Sequence, residues 1–409
     1  VAVGRQARAA GRRAVRARRA VAVLFFANGF TYTNVVPWLP AIKDGLGLSN
    51  AALGAAIAAM PFGALLTGML AGPLIARFGS GRVAVAAGAL GACVLPLVAA
   101  APGWWALAAA LFALGVADAW MDAAMNAHGL RVQRRYGRSI INTFHAVWSI
   151  AAVAGGLVGA SMAQLGVPLA LHLTGVAVLL VAAVLATSRF LLPGPEHTEY
   201  GVGAVSAPGP RELLRWARPA LGTLLTLSLL LMLAGAIEDS AASWGAVYTH
   251  GELGAPLLLA GLPFIACQAM MTVGRLVGDR LTDRFGPVAV ARGGAVLAAA
   301  GMAVALVWPT AASAIAGFGM VGLGVATLFP LTLAAAGDVP GVRSGDGVVV
   351  VGWLGRFGFM LFPPLVGAVA DASSLGTALW LVPLGALTAA VLAFALRPRA
   401  AGGGQVTRT

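Results

Sequence analysis

Long apolar blocks alternate along this chain with short breaks that carry arginine, proline and glycine. Twelve blocks can be marked, at 20–41, 51–75, 83–101, 104–128, 140–165, 168–190, 219–244, 257–279, 288–308, 311–336, 348–370 and 376–396. Each is close to the length of about 20 apolar residues that a helix needs to cross the hydrocarbon of a bilayer. The pattern therefore predicts an all-α membrane protein with twelve transmembrane helices. The longest break, 193–218, is rich in Pro and Gly and falls at mid-chain. It is expected to be a cytoplasmic linker between six-helix bundles at 20–192 and 219–396, with a basic N-terminal arm at 1–19 and a tail at 397–409.

The two halves repeat. "GPLIARFGSGRV" at 72–83 returns as "GDRLTDRFGPVAV" at 278–290, so that Arg77 maps onto Arg284 at an offset of 207. "GGLVGA" at 155–160 returns as "PPLVGA" at 363–368, an offset of 208. Both matches join equivalent places, the 2–3 loop with the 8–9 loop and span 5 with span 11. One duplicated six-helix unit follows, its halves pseudo-symmetric about an axis normal to the membrane.

Composition agrees: 59% of the residues are hydrophobic and 10% charged, against about 25% charged in an ordinary soluble chain. The net charge of +13 does not point to nucleic acid, because the basic residues sit at the ends of apolar blocks and not in a stripe with interleaved aromatics. Of the 27 Lys and Arg, 24 fall on the side of the N-terminus, Arg275 and Arg356 lie inside spans, and Lys43 stands alone on the other side. The excess of basic residues predicts that both termini are cytoplasmic. The N-terminal basic stretch lacks a small-residue cleavage site and is read as an arm, able to touch anionic lipid. Cys93 and Cys267 lie inside spans and read as small buried hydrophobes.

The loop after span 2 carries Gly72, Arg77 and Gly79, and the loop after span 8 carries Gly278, Asp283, Arg284 and Gly286. With twelve spans and a central linker, these loops make the chain resemble the major facilitator superfamily over nearly its whole length. They are the copies of a motif on which that family's conformational change turns. The first copy has Ala76 where the family usually has Asp, so a gating acid is missing there. Finer stretches, "LPAIKDGLGLSNAALG" (39–54), "DAAMNAHG" (122–129), "INTFHAVWSIA" (141–151) and "VGRLVGDRLTDRFG" (273–286), are similar to the MosC/YbjJ-like branch. The resemblance implies a transporter of the bacterial inner (plasma) membrane, working by alternating access. Span 5 has no Pro in "AGGLVGAS", which departs from the drug-antiporter signature.

Ionisable residues inside spans cost about 2.5–3.5 kcal/mol each at the bilayer centre on insertion scales and therefore mark candidate sites. Asp118, Asp122 and Asn126 recur every fourth residue and form one polar stripe on span 4. Reflection through the 4–5 turn brings His145 to the depth of Asp122, and a carboxylate beside an imidazole can hold and pass a proton. Asp122, His145, Glu238 and Asp118 are the proton-coupling candidates; the ordinary alternative is interhelical hydrogen bonding. Glu238 neighbours Asp239, and adjacent helical residues point about 100° apart, which leaves open which of the two faces the cavity. Arg356 falls near the midplane and calls for a carboxylate from the protein or an anionic group on the substrate. Arg275, near the end of span 8, reads as packed and snorkelling.

Asn126, Arg356, Tyr32, Trp38, Trp148, Trp244 and Trp353 complete the substrate-binding candidates, with ordinary packing the alternative for each aromatic. No phosphate-binding Gly loop, catalytic triad or metal-ligand spacing occurs, so the chain is expected to be no enzyme and to need neither cofactor nor metal. The expected partners are a small-molecule substrate, protons and the lipid bilayer, with the protein acting as a monomer. The expected function is proton-coupled secondary transport, with efflux of a metabolite or drug ahead of uptake. A non-transporting membrane sensor or a membrane-embedded enzyme is the rival from another class.

Overall fold

The computed structural model describes residues 2–136, 140–193, 210–340, 342 and 344–397, and among them every regular element is helical. Twelve segments are long and apolar enough to cross a membrane. Spans 1 to 6 are Arg13–Gly45, Asn50–Phe78, Ser80–Ala99, Trp104–Tyr136, Thr143–Gln164 and Leu169–Phe190; spans 7 to 12 are Ala220–Ser243, Leu257–Phe285, Pro287–Val307, Ala311–Gly337, Gly347–Ala372 and Leu375–Leu396. This is a multi-pass, all-α membrane protein.

Two boundaries differ from the sequence reading. The basic segment expected as a separate arm continues span 1 in a single helix, Ala2–Thr33. Its Ala and Arg residues are strong helix formers, so nothing ends the helix where the apolar pattern begins. Likewise the last part of the expected linker is helical, because the helix that contains span 7 starts at Pro210, a residue suited to a first helical turn. The linker's 194–209 and the tail's 398–409 lie outside the described residues.

The partner pattern of the first half recurs in the second. Span 1 packs on 5, 2 on 4, 3 on 4 and 3 on 6; span 7 packs on 11, 8 on 10, 9 on 10 and 9 on 12. Close contacts repeat with it. A Cβ on Gly115 would collide with the carbonyl of Met60, and one on Gly322 with that of Cys267, at the sequence offset of 207. The turns after spans 2 and 8 repeat as well, with Gly79 at φ 86° and Gly286 at φ 80°, a region that L side chains avoid.

The halves meet along spans 2 and 11 and along spans 5 and 8. At the end away from the termini the contact is tight. Both oxygens of Asp371, at the end of span 11, accept from the first N–H groups of span 2, Asn50 and Ala51, each at 2.8 Å. A Cβ on Gly54 or on Gly367 would strike backbone of the opposite half, Pro363 and Asn50 respectively. Gln164 of span 5 accepts from Leu258 N–H of span 8 at 3.2 Å. Toward the termini each helix keeps to its own half: Ala71–Phe78 packs on spans 3 and 4, and Ser344–Gly355 on spans 7 and 10. Asp122, His145 and Arg275 are exposed on that side. The space between the halves is thus closed at one end and open at the end that carries the termini.

Candidate functional site

That space holds a central cavity of about 400 Å³, with walls from spans 1, 2, 4, 5, 7, 8 and 11. Its polar lining includes Asn28, Asp118, Asp122, Glu238, Asp239, Gln268 and Arg356, and Tyr32, Trp148, Phe264 and Phe359 supply aromatic surface. The polar groups form short, separate networks.

The first network ties three spans. Trp148 Nε1 donates to Asn28 Oδ1 at 2.7 Å, and Asn28 Nδ2 donates to Asp118 Oδ1 at 2.8 Å. An indole N–H can only donate, so it fixes the orientation of the Asn28 amide and turns its NH₂ to the carboxylate. The second network lies one turn and two turns further along span 4. Asn126 Nδ2 donates to Asp122 Oδ1 at 2.9 Å, and His145 Nε2 faces Asn126 Oδ1 at 3.1 Å. With the amide oriented this way, Nε2 carries the proton of that bond. The imidazole also packs edge-on to Phe25, 5.2 Å between centroids. The sequence brings Asp122 and His145 to one place, but Asn126 stands between them as a bridge.

On the opposite wall, Ser243 donates its hydroxyl proton to Asp239. Glu238 Oε1 lies 4.0 Å from Arg275 Nη2, with both side chains partly exposed at 24% and 42%. A pair at that distance and exposure is worth about 0–1 kcal/mol, so packing and not this contact joins spans 7 and 8. Both acids line the cavity. The reading of Arg275 as a snorkelling residue misses its approach to Glu238. Arg356 sits where the helix Ser344–Gly355 gives way to Phe357–Ala372, at the cavity wall.

Several expected substrate contacts lie elsewhere. Trp38 is buried against His172, with centroids 5.8 Å apart. Trp244 is fully buried at the break after Ser243. Both indole N–H groups are buried without a hydrogen-bond partner among the described residues, and both residues sit beyond the break in the first helix of their half. Trp353 stacks edge-on with Phe357 at 5.3 Å, half exposed and outside the cavity lining. Asn126 is engaged by Asp122 and His145, also outside the lining. Only Tyr32, Trp148 and Arg356 of the substrate candidates reach the wall.

The loop motifs are far from this chemistry. Gly79 and Gly286 each end one helix and start the next. Arg77 lies over Phe78 and Arg284 over Phe285, at 5.4 and 5.2 Å from the ring centroids. Gly72 faces open space, whereas Gly278 packs against Thr327. Arg77 also borders a surface hollow of about 790 Å³ with Arg13, Arg82, Arg131 and Arg189, off the central axis. Asn28 is not among the residues expected from sequence, because the signal used there was an ionisable group inside a span or the four-residue stripe on span 4, and an uncharged amide on span 1 carries neither.

A family model for the major facilitator superfamily matches residues 21–344. The chain belongs to the major facilitator superfamily. Among its relatives in the superfamily is an uncharacterised transporter of Yersinia pestis, 30% identical over 376 residues that cover 91% of this chain and 94% of the relative. Another is the membrane protein MosC of Rhizobium meliloti, 29% identical over 390 residues, 93% of this chain and 90% of MosC. The fold matches the solved nucleoside transporter NupG with a TM-score of 0.76 at 16% identity, covering 93% of this chain and 98% of that one. As a superfamily member with these relatives, the chain is a membrane transporter.

Proposed function

We propose that the protein is a proton-coupled secondary transporter that exports a small metabolite or drug across a bacterial plasma membrane. It would act as a monomer with both termini in the cytoplasm, the central cavity opening alternately to the two sides. The observation that carries this reading is the bridged set Asp122–Asn126–His145, which meets the wall of the cavity shared by the two halves through Asp122, one turn from Asp118. A carboxylate linked through an amide to an imidazole can exchange a proton with the open side while staying connected to the substrate space. Glu238 and Asp239 on the facing wall give the second half its own ionisable groups. The aromatic and apolar surfaces of Tyr32, Trp148, Phe264 and Phe359 suit a partly apolar product, which supports export.

The test is accumulation in cells that lack or overproduce the protein, against a panel of metabolites and antibiotics, followed by proton movement in everted vesicles with each active compound. Asp122→Asn is expected to abolish proton-driven transport and to leave substrate exchange partly intact. Full concentrative transport by Asp122→Asn would remove this residue from the proton path, and higher accumulation in overproducing cells would reverse the direction.

A further inference from the structure

Each carboxylate in the cavity wall already has a partner within the chain. Asn28 donates to Asp118, Asn126 to Asp122 and Ser243 to Asp239, and Glu238 lies 4.0 Å from Arg275. Arg356 is different. Among the described residues no carboxylate lies within 4.0 Å of its guanidinium, and its side chain makes no hydrogen bond. It is an unpaired cation at the wall of the site.

Its position is set by the fold. The helix break at Gly355–Phe357 presents Arg356 to the cavity. From the second half it reaches toward the first, where a Cβ on Gly68 of span 2 would stand 3.4 Å from Nη1. Asp118 and Asp122 line the same cavity without touching Arg356.

While the cavity is open, water solvates the guanidinium. Alternating access requires an occluded stage from which most of that water is gone, and an unpaired buried charge then costs several kcal/mol. Asp118 and Asp122 could offset it only in their charged forms. Once they hold protons, neutralisation falls to whatever occupies the cavity. A guanidinium presents a planar fork of donors that suits a carboxylate at two points.

We propose that Arg356 binds a carboxylate on the transported molecule, so that the substrate class is a small organic acid whose ring or apolar body lies against Trp148, Tyr32, Phe264 and Phe359. This rests on the cavity being the transport site. The volume of about 400 Å³ limits the molecule to metabolite size. Arg356 thus acts as the specificity residue and the acids as proton carriers.

The experiment measures binding to the purified full-length protein by calorimetry and thermal shift. The probes are phenylacetate, its neutral amide phenylacetamide, and phenethylamine. Phenylacetate is expected to bind at least tenfold more tightly than either of the others. Arg356→Gln is expected to remove that preference, and Arg356→Lys, which keeps the charge but loses the fork, to retain a weakened one. Unfolding temperatures without probe show whether each variant folds; if Arg356→Gln does not, the intermediate preference of Arg356→Lys carries the test. Asp122→Asn is expected to keep the carboxylate preference while losing proton-driven transport, so failures of anion recognition and of proton coupling read out separately. Equal or tighter binding of the amide or amine, absence of phenylacetate binding, or an undiminished preference in both Arg356 variants would overturn the proposal.

Discussion

Asn28 shows what a single polar side chain contributes inside this membrane bundle. It accepts from the Trp148 indole and donates to Asp118, so one amide holds spans 1, 4 and 5 in register around the cavity. Asn28→Ala would leave a part-buried indole donor and a carboxylate each short of a partner, a cost of at most roughly 1–3 kcal/mol per orphaned group. A lowered unfolding temperature in detergent, together with reduced transport, is the expected result; unchanged values for both would show that water replaces the amide. Much of this site was legible from sequence. The four-residue spacing of Asp118, Asp122 and Asn126, and the matching depth of His145, point to side chains of which the structure links Asp122, Asn126 and His145 by hydrogen bonds. What stayed hidden was the order of contact, because the spacing and the matched depth put both Asn126 and His145 in the neighbourhood of Asp122, and only side-chain direction decides which group bridges.

At the scale of the element, the closed end is held by a helix start. Asp371 caps the first N–H groups of span 2 from the other half of the molecule, where the helix dipole also favours a negative charge. Asp371→Asn keeps the shape but gives up the charge and one of the two acceptor oxygens. It is expected to shift the population toward the state open at this end by up to about tenfold, the effect of losing charge-assisted bonds worth ~1.4 kcal/mol in total. Spin labels on the ends of spans 2 and 11 would read the shift as a longer distance component, and an unaltered distribution would show that packing alone holds the end. Gly367→Val is expected to act in the same direction and more strongly, since its side chain would strike the Asn50 backbone. The breaks within elements show a limit of the sequence reading. Trp38 and Trp244 match by repeat position and looked equally fit to line the cavity, yet both lie past a helix break and fill the closed end.

For the whole molecule, the proposed alternating access needs a second conformation besides the one described. Spans 2 and 11 and spans 5 and 8 would part at the closed end while the opposite end shuts. In a chain with Cys93→Ser and Cys267→Ala, the pair Asn50→Cys and Asp371→Cys is therefore expected to form a disulfide that abolishes transport, with activity restored by reduction. Transport at the full rate in the cross-linked protein would show that these ends need not separate. The missing acid at Ala76 bears on the same balance: the end that carries the termini lacks one charged group of the resembled motif, whereas the far end has Asp371.

The number of spans, the duplication with its offset, and the spans that carry the acids can be read from the chain alone. These follow from local physics, because a bilayer demands apolar runs of fixed length and penalises each charge placed within them. Which charges have partners follows from packing between the helices. Arg275 and Arg356 are both single arginines in apolar spans, and the sequence separates them only by depth. Yet one comes to 4.0 Å from Glu238, whereas the other stands unpaired at the cavity wall among the described residues. That difference depends on how two six-helix bundles meet, and on which face of each helix the meeting leaves open, which no spacing along a single chain encodes.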